Sequence, residues 1–167
     1  MIKKICFILL FAISLTTLAQ DEETLKKWNK NYQLVNIREI LDSKKVHVDS
    51  INKGMITGNY YTGAYKYRFK AIRKGDHREI SSDIKQTIAK VLKIHGADQQ
   101  YINLLKYEVL MECNGQQIWM PIQSQLLKSF KEEIKKGAQA MLYCSLLTDY
   151  SKKGLNNIFI ISEFIKP

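Results

Sequence analysis

Between Ala64 and Arg73 the chain alternates with a period of two: Tyr65, Tyr67, Phe69 and Ala71 fall on one side, Lys66, Arg68 and Lys70 on the other. Successive side chains of a strand point to opposite faces, so this pattern demands a sheet with one face buried and one face wet. The neighbouring residues extend the theme. Val46, Val48 and Ile51 lead into the turn signal Asn52-Lys53-Gly54, Met55–Tyr61 follows, and Thr62-Gly63 is a second turn signal. Three consecutive antiparallel strands are the economical expectation for 45–74, with Lys74-Gly75-Asp76 ending the run.

A second constraint is Asn114-Gly115, set between the strand-like runs Leu104–Cys113 and Gln116–Met120. Asn-Gly suits the positive backbone angles of a type I′ hairpin, and Pro121, with no N–H for a ladder, is expected to end the second strand. Around these strands the period changes to that of helices. Residues 82–96 put Ile84, Ile88, Val91 and Leu92 on one face, with Asp83 and Gln86 as a capping box, Ser82 as an alternative cap and Gly96 as a stop. Residues 124–136 put Leu126, Leu127, Phe130 and Ile134 inward, with Ser124 as cap and Gly137 at the end. The runs Ala140–Leu147 and Asn157–Ile165 read as strands covered on both faces. Residues 21–44 are helix-prone, with Leu25, Trp28 and Tyr32 at helical spacing.

The resulting class is α+β, mainly antiparallel, with about three helices. Its C-terminal order (long strand, hairpin, helix, two strands) resembles an OB-like, partly open barrel, with the helix at 82–96 inserted after the first barrel strand. The expected organisation is a signal peptide at 1–19, an N-terminal helical segment at 20–44 and a single α+β domain at 45–167. The leader expectation rests on Lys3-Lys4, the apolar stretch from Ile5 to Leu18 and the small residues Thr17-Leu18-Ala19 at the cleavage position. Cys6 lies at the start of that stretch and Gln20 at the first mature position, so a lipoprotein is not expected. The chain is therefore expected to be exported, in the periplasm or outside the cell, with no membrane span in its mature part.

The chain carries 26 Lys and Arg against 16 Asp and Glu, a formal net charge of +10. A basic exported protein is drawn to anionic surfaces. Only Arg38, Arg68, Arg73 and Arg78 are guanidinium groups, which disfavours nucleic acid, because bidentate phosphate and base recognition favours Arg. The expected anion-facing surface is the basic side of the clear strand, Lys66, Arg68 and Lys70, continued by Arg73, Lys74 and Arg78. Tyr65, Tyr67, Phe69 and Trp119 are expected to fill the core rather than stack a ligand. Cys113 and Cys144 form a candidate disulfide that an oxidising compartment permits.

Searches for chemistry return little. His47, His77 and His95 have no His or Cys partner at ligand spacing, so neither a metal site nor a cofactor is expected. His47 and Asp49 alternate on one face of an expected strand, with Ser50 pointing away, which does not make a nucleophilic site. Asp76-His77-Arg78-Glu79 reads as a charged loop, and Glu132-Glu133 diverge on their helix. No catalytic residue is assigned, and an enzyme is the less favoured class.

Leu18-Ala19-Gln20, with Ile118-Trp119-Met120-Pro121 and Ile161-Ser162-Glu163-Phe164 as weaker markers, resembles the small exported proteins of Bacteroidota-type bacteria. That resemblance implies a compartment and no activity, and it carries over no functional residue. The leading functional expectation is a non-enzymatic binding module whose basic strand face contacts an anionic glycan, a lipid head group or an acidic protein. The alternative is an interaction or inhibitor protein that works through the helical segment 21–44.

Overall fold

The computed structural model describes residues 22–53, 60–94, 96, 99–151 and 154–166. The expected leader, Gly54 and His95 lie outside the described residues, as do the side chains of His47, Ser50, Ile51, Tyr60 and Tyr61. Helix α1 covers 22–31. A two-residue strand β1 (Gln33–Leu34), helix α2 (Ile37–Asn52) and strand β2 (Tyr60–Glu79) follow. Helices α3 (Ser82–Ile94) and α4 (Gln99–Leu104) lead to strands β3 (Leu105–Cys113) and β4 (Gln116–Gln123). Helix α5 (Ser124–Glu133) precedes the final hairpin, β5 (Gln139–Ser151) and β6 (Gly154–Ile165).

The sheet order is β1-β2-β3-β4-β6-β5, and an additional β2–β5 pairing joins the ends, so the five strands β2–β6 close into a small barrel. All barrel pairings are antiparallel except β4–β6, which meet in parallel at Ile122↔Ile161. This is the OB-like order expected from the sequence, closed rather than partly open. Closure depends on the length of β2. Its first part, Tyr60–Ile72, pairs with β5, and its second part, Ile72–Glu79, pairs with β3. Register slips at Thr62/Tyr65 and Arg73/His77 bend the strand between its two partners.

The inner wall is built by period-two alternation. Phe69 and Ala71 of β2, Val109 and Met111 of β3, Met120 and Ile122 of β4, and Phe159 and Ile161 of β6 share one buried cluster. Two helices seal it. Ile37 and Leu41 of α2 enter the cluster beside the β3–β4 hairpin, whose tip residue Asn114 donates from Nδ2 to Asn36 Oδ1 at 2.6 Å. Leu127, Phe130 and Ile134 enter it from α5, which starts directly after the other end of β4. Phe130 is fully buried and meets Phe164 edge-on at 5.1 Å. Each such aromatic withdrawn from water contributes about 1.5–3 kcal/mol.

A second cluster lies on the outside of the barrel. Ile88 and Val91 of α3 pack on Leu147, Ile158 and Ile160. Strands β5 and β6 are therefore buried on both faces, as their continuous apolar runs predict. Along the same outer wall, Trp28 and Tyr32 hold Tyr143 at ring distances of 5.5 and 5.4 Å. The segment before β2 is thus built into the body of the protein, with Tyr32, Ile37 and Leu41 all buried.

Several local expectations are corrected. Residues 46–51 belong to α2, not to a strand, so His47 and Asp49 sit on a helix. Asn36 caps α2 by accepting from the Arg38 N–H at 3.1 Å and donating to Glu39 Oε1 at 3.2 Å. The cap of α3 is Ser81, whose Oγ accepts from the Ile84 N–H at 3.3 Å, rather than Ser82 or Asp83. Ser124 is not a cap; its hydroxyl donates to the Leu104 carbonyl at 2.8 Å and ties α5 to the end of α4. Strand β4 runs through Pro121, which pairs with Glu108, and continues to Gln123. Because β4 meets β6 at the single register Ile122↔Ile161, the missing Pro121 N–H breaks little of the ladder. The Asn-Gly turn is as expected, with φ of 50° at Asn114 and 79° at Gly115.

Candidate functional site

Asp76-His77-Arg78-Glu79 is not a loop. The chain passes through Gly75 in extended form, and all four residues continue β2. Gly75 is needed for closeness, not for an unusual backbone angle: a Cβ there would lie 3.2 Å from Leu110 Cβ. This approach keeps β2 close to β3 through the register slip and brings Arg78 opposite Glu108.

Arg78, Glu108 and Trp119 form the most organised polar cluster on the outer wall. Glu108 is 2 % exposed, and its Oε1 accepts from Arg78 Nε at 2.5 Å. The guanidinium carbon of Arg78 sits 3.8 Å above the centre of the Trp119 ring. The carboxylate and the indole together fix the plane of the guanidinium. Among the described residues, no hydrogen bond reaches its two Nη groups, and the side chain remains 54 % exposed. Four residues away on each strand, Lys74 Nζ pairs with Glu112 Oε2 at 3.1 Å. Leu110 lies between the two ion pairs, opposite Trp119 across the β3–β4 ladder.

The six cations expected to form one face are divided by the barrel. Arg73 is 6 % exposed and points inward, the reverse of its expected placement. Its Nη1 donates to the carbonyls of Ile134 at 2.8 Å and Lys131 at 3.3 Å, and its Nε to Gly75 O at 3.2 Å. Arg73 therefore satisfies the last carbonyls of α5, a structural task. Arg68 is half-buried, donates from Nη1 to Asn29 Oδ1 and leaves Nε buried without a partner. Lys66 is exposed, with Nζ 5.7 Å from the centre of the Tyr32 ring. Lys70 is exposed beside Leu34, Asn36 and Met141. Lys66, Arg68 and Lys70 belong to the β2–β5 part of the wall, whereas Lys74 and Arg78 belong to the β2–β3 part.

The aromatic expectation is also divided. Phe69 is buried, but Tyr65 is 49 % exposed and stacks on half-buried Tyr67. Trp119 lies on the outer wall instead of in the interior. Its position was readable from parity: Val109, Met111 and Cys113 make one side of β3, Glu108, Leu110 and Glu112 the other, and the Asn-Gly turn sets Trp119 opposite Leu110. Glu108 carries no chemical motif, and only the pairing of β2 with β3 reveals its role.

Cys113 and Cys144 are separate buried thiols in the one barrel cluster, not bridged to each other. Burial pushes the Cys113 thiol up to about 12 and raises that of Cys144 well above its ordinary value. Neither is poised as a nucleophile. His77 faces the Tyr107 ring at 5.3 Å. Among the described residues, no three His, Cys, Asp or Glu side chains converge to hold a metal ion, and no helix is long and apolar enough to cross a membrane. What this wall can do chemically is hold an anion on a preoriented guanidinium. No known family model, curated protein or solved structure matches the chain.

Proposed function

We propose that the protein is an exported, non-enzymatic binding module for an acidic glycan, and that the outer wall of β2, β3 and β4 is its contact surface. The observation that carries this reading is Arg78, clamped by Glu108 and Trp119, with no hydrogen bond to either Nη group among the described residues. A guanidinium fixed beforehand loses little freedom when a carboxylate arrives and can accept it through two parallel hydrogen bonds. The edge of Trp119 and the side chain of Leu110 offer apolar surface to a sugar ring, and Gln117 is exposed beside them. In OB-type barrels the corresponding wall holds oligosaccharides and oligonucleotides. Here Glu108 and Glu112 lie next to the cations and work against a dense polyphosphate. A glycan with isolated carboxylates fits better.

Polygalacturonate and neutral dextran are suitable probes, measured by calorimetry at rising salt. Arg78→Lys keeps the charge but loses the fork, and is expected to weaken polygalacturonate binding by about tenfold. Salt-independent binding, or equal affinity for dextran, refutes the proposal.

A further inference from the structure

The segment between β2 and β3 does more than connect them. It lays α3 along the outside of β5 and β6 and turns back through α4, and beneath these helices the wall is not filled. A cavity of about 220 Å³ remains, which shares no lining residue with the Arg78 cluster. That is room for several water molecules.

The lining has a definite chemistry. Leu92 of α3 and Leu147 and Ile160 of the barrel supply apolar walls, and Tyr101 of α4, 58 % exposed, stands at the mouth. Ser145, Ser162 and Gln123 supply the polar groups. The two serine hydroxyls lie 3.5 Å apart, at the outer limit of a hydrogen bond, so each keeps capacity for a third group between them. The Tyr32 phenol lies within reach of Ser162. Of the flanking outward positions, Tyr143 and Leu147 on β5 and Ile160 on β6 are large and buried, and Glu163, paired with Tyr143, stands just outside the lining. Among the described residues the lining bears no charged side chain.

We infer that this cavity is a binding site, separate from the Arg78 wall, for a small uncharged amphiphile: a molecule with a compact apolar body and one hydroxyl or amide. The apolar body lies on Leu92, Leu147 and Ile160, and the polar group meets Ser145 and Ser162. A molecule lacking the polar group leaves the hydroxyls unpaired, and an ionised one loses its hydration without a counter-charge.

Benzyl alcohol, toluene and benzoate share one body and differ in this one respect. Titration of the full chain with each, followed through the methyl resonances of Leu147 and Ile160, tests the inference. Benzyl alcohol is expected to give saturable shifts centred on those methyls and to bind more tightly than toluene by roughly three- to tenfold, with benzoate weakest. The double variant Ser145→Ala, Ser162→Ala is expected to erase the preference for benzyl alcohol. Tyr101→Ser, at the exposed mouth, tests access without disturbing the core and should weaken both neutral probes. Absence of saturable shifts with either neutral probe, a preference for benzoate, or an unchanged preference in a folded serine variant overturns it. None of these outcomes depends on polygalacturonate binding, so the two sites stand or fall separately.

Discussion

Replacing Arg73 should measure what a buried arginine contributes when its partners are carbonyls rather than a carboxylate. Among the described residues its one ionic contact, Nη2 to Asp76 Oδ1 at 3.5 Å, reaches an aspartate that is 82 % exposed and is worth little. The donations to Ile134 O and Lys131 O are the significant ones, because they end α5 where Phe130 and Ile134 enter the barrel. Arg73→Met keeps most of the volume and removes every donor. Two opposing effects follow. The cost of holding a desolvated cation disappears, which favours the variant. The two carbonyls lose their partner, at about 1–3 kcal/mol each when water cannot replace it. The second effect should prevail, giving a net loss of about 2–4 kcal/mol. Arg73→Lys retains the charge but has no fork to span Gly75 O and the α5 carbonyls, and should lose about 1–2 kcal/mol. The main-chain bonds of this residue, its N–H to Ala138 O at 3.0 Å and its carbonyl from the Gly137 N–H at 2.7 Å, persist in both variants. Urea unfolding gives the comparison, with an unchanged m-value as the sign that the native state is otherwise intact. If Arg73→Met unfolds within about 0.5 kcal/mol of the parent, the helix-end carbonyls do not need the guanidinium and the reasoning fails.

Four further outcomes follow from the same structure. Gly75→Ala should lose about 1–2 kcal/mol in urea unfolding, since its Cβ meets Leu110 Cβ at 3.2 Å and Cδ2 at 3.3 Å, and Leu110→Ala in the same chain, which removes only the second contact, should recover part of that loss. Arg78→Met should destabilise at neutral pH by stranding Glu108, and the added change Glu108→Gln should restore stability; a double-mutant cycle without coupling contradicts the clamp. Burial raises the carboxyl pKa of Glu163, so the folded state holds that proton more tightly than the unfolded one. Its penalty is then present above the raised pKa and vanishes below the ordinary value of 4.5, and Glu163→Gln should raise the melting temperature at pH 7 but not at pH 3. Cys113 and Cys144 should resist a thiol reagent at pH 8 in the native state and both react after unfolding without reductant; modification of the folded protein contradicts their burial.

The barrel was legible in the sequence because its strands alternate cleanly and Asn114-Gly115 fixes one hairpin. The errors are equally physical. Val46 and Val48 favour a strand locally, but Ile37 and Leu41 anchor the first turns of α2 in the core and carry the rest into helix, where Val46 remains 66 % exposed. Lys74-Gly75-Asp76 has turn composition, yet Gly75 serves a close approach of two strands. Arg73 shares the parity of Phe69 and Ala71, which already placed it inside; its charge hid that reading. The cavity beneath α3 and α4 could not be foreseen, because Ser145 and Ser162 become neighbours only through the β5–β6 pairing, and α4 itself has too few apolar positions to announce a helix.

Strand β2 sets the order in which the molecule can assemble. Its early residues find their mates only near the end of the chain, Tyr60 meeting Tyr150 and Ile72 meeting Gln139. A polypeptide complete only as far as β4 holds the β3 mate for the later portion of β2, while the β5 mate of the earlier portion is still missing. Contacts of such long sequence separation make folding slow, and the waiting edge is a place where chains can stick to one another. The final hairpin is thus the step that commits the protein to its native form.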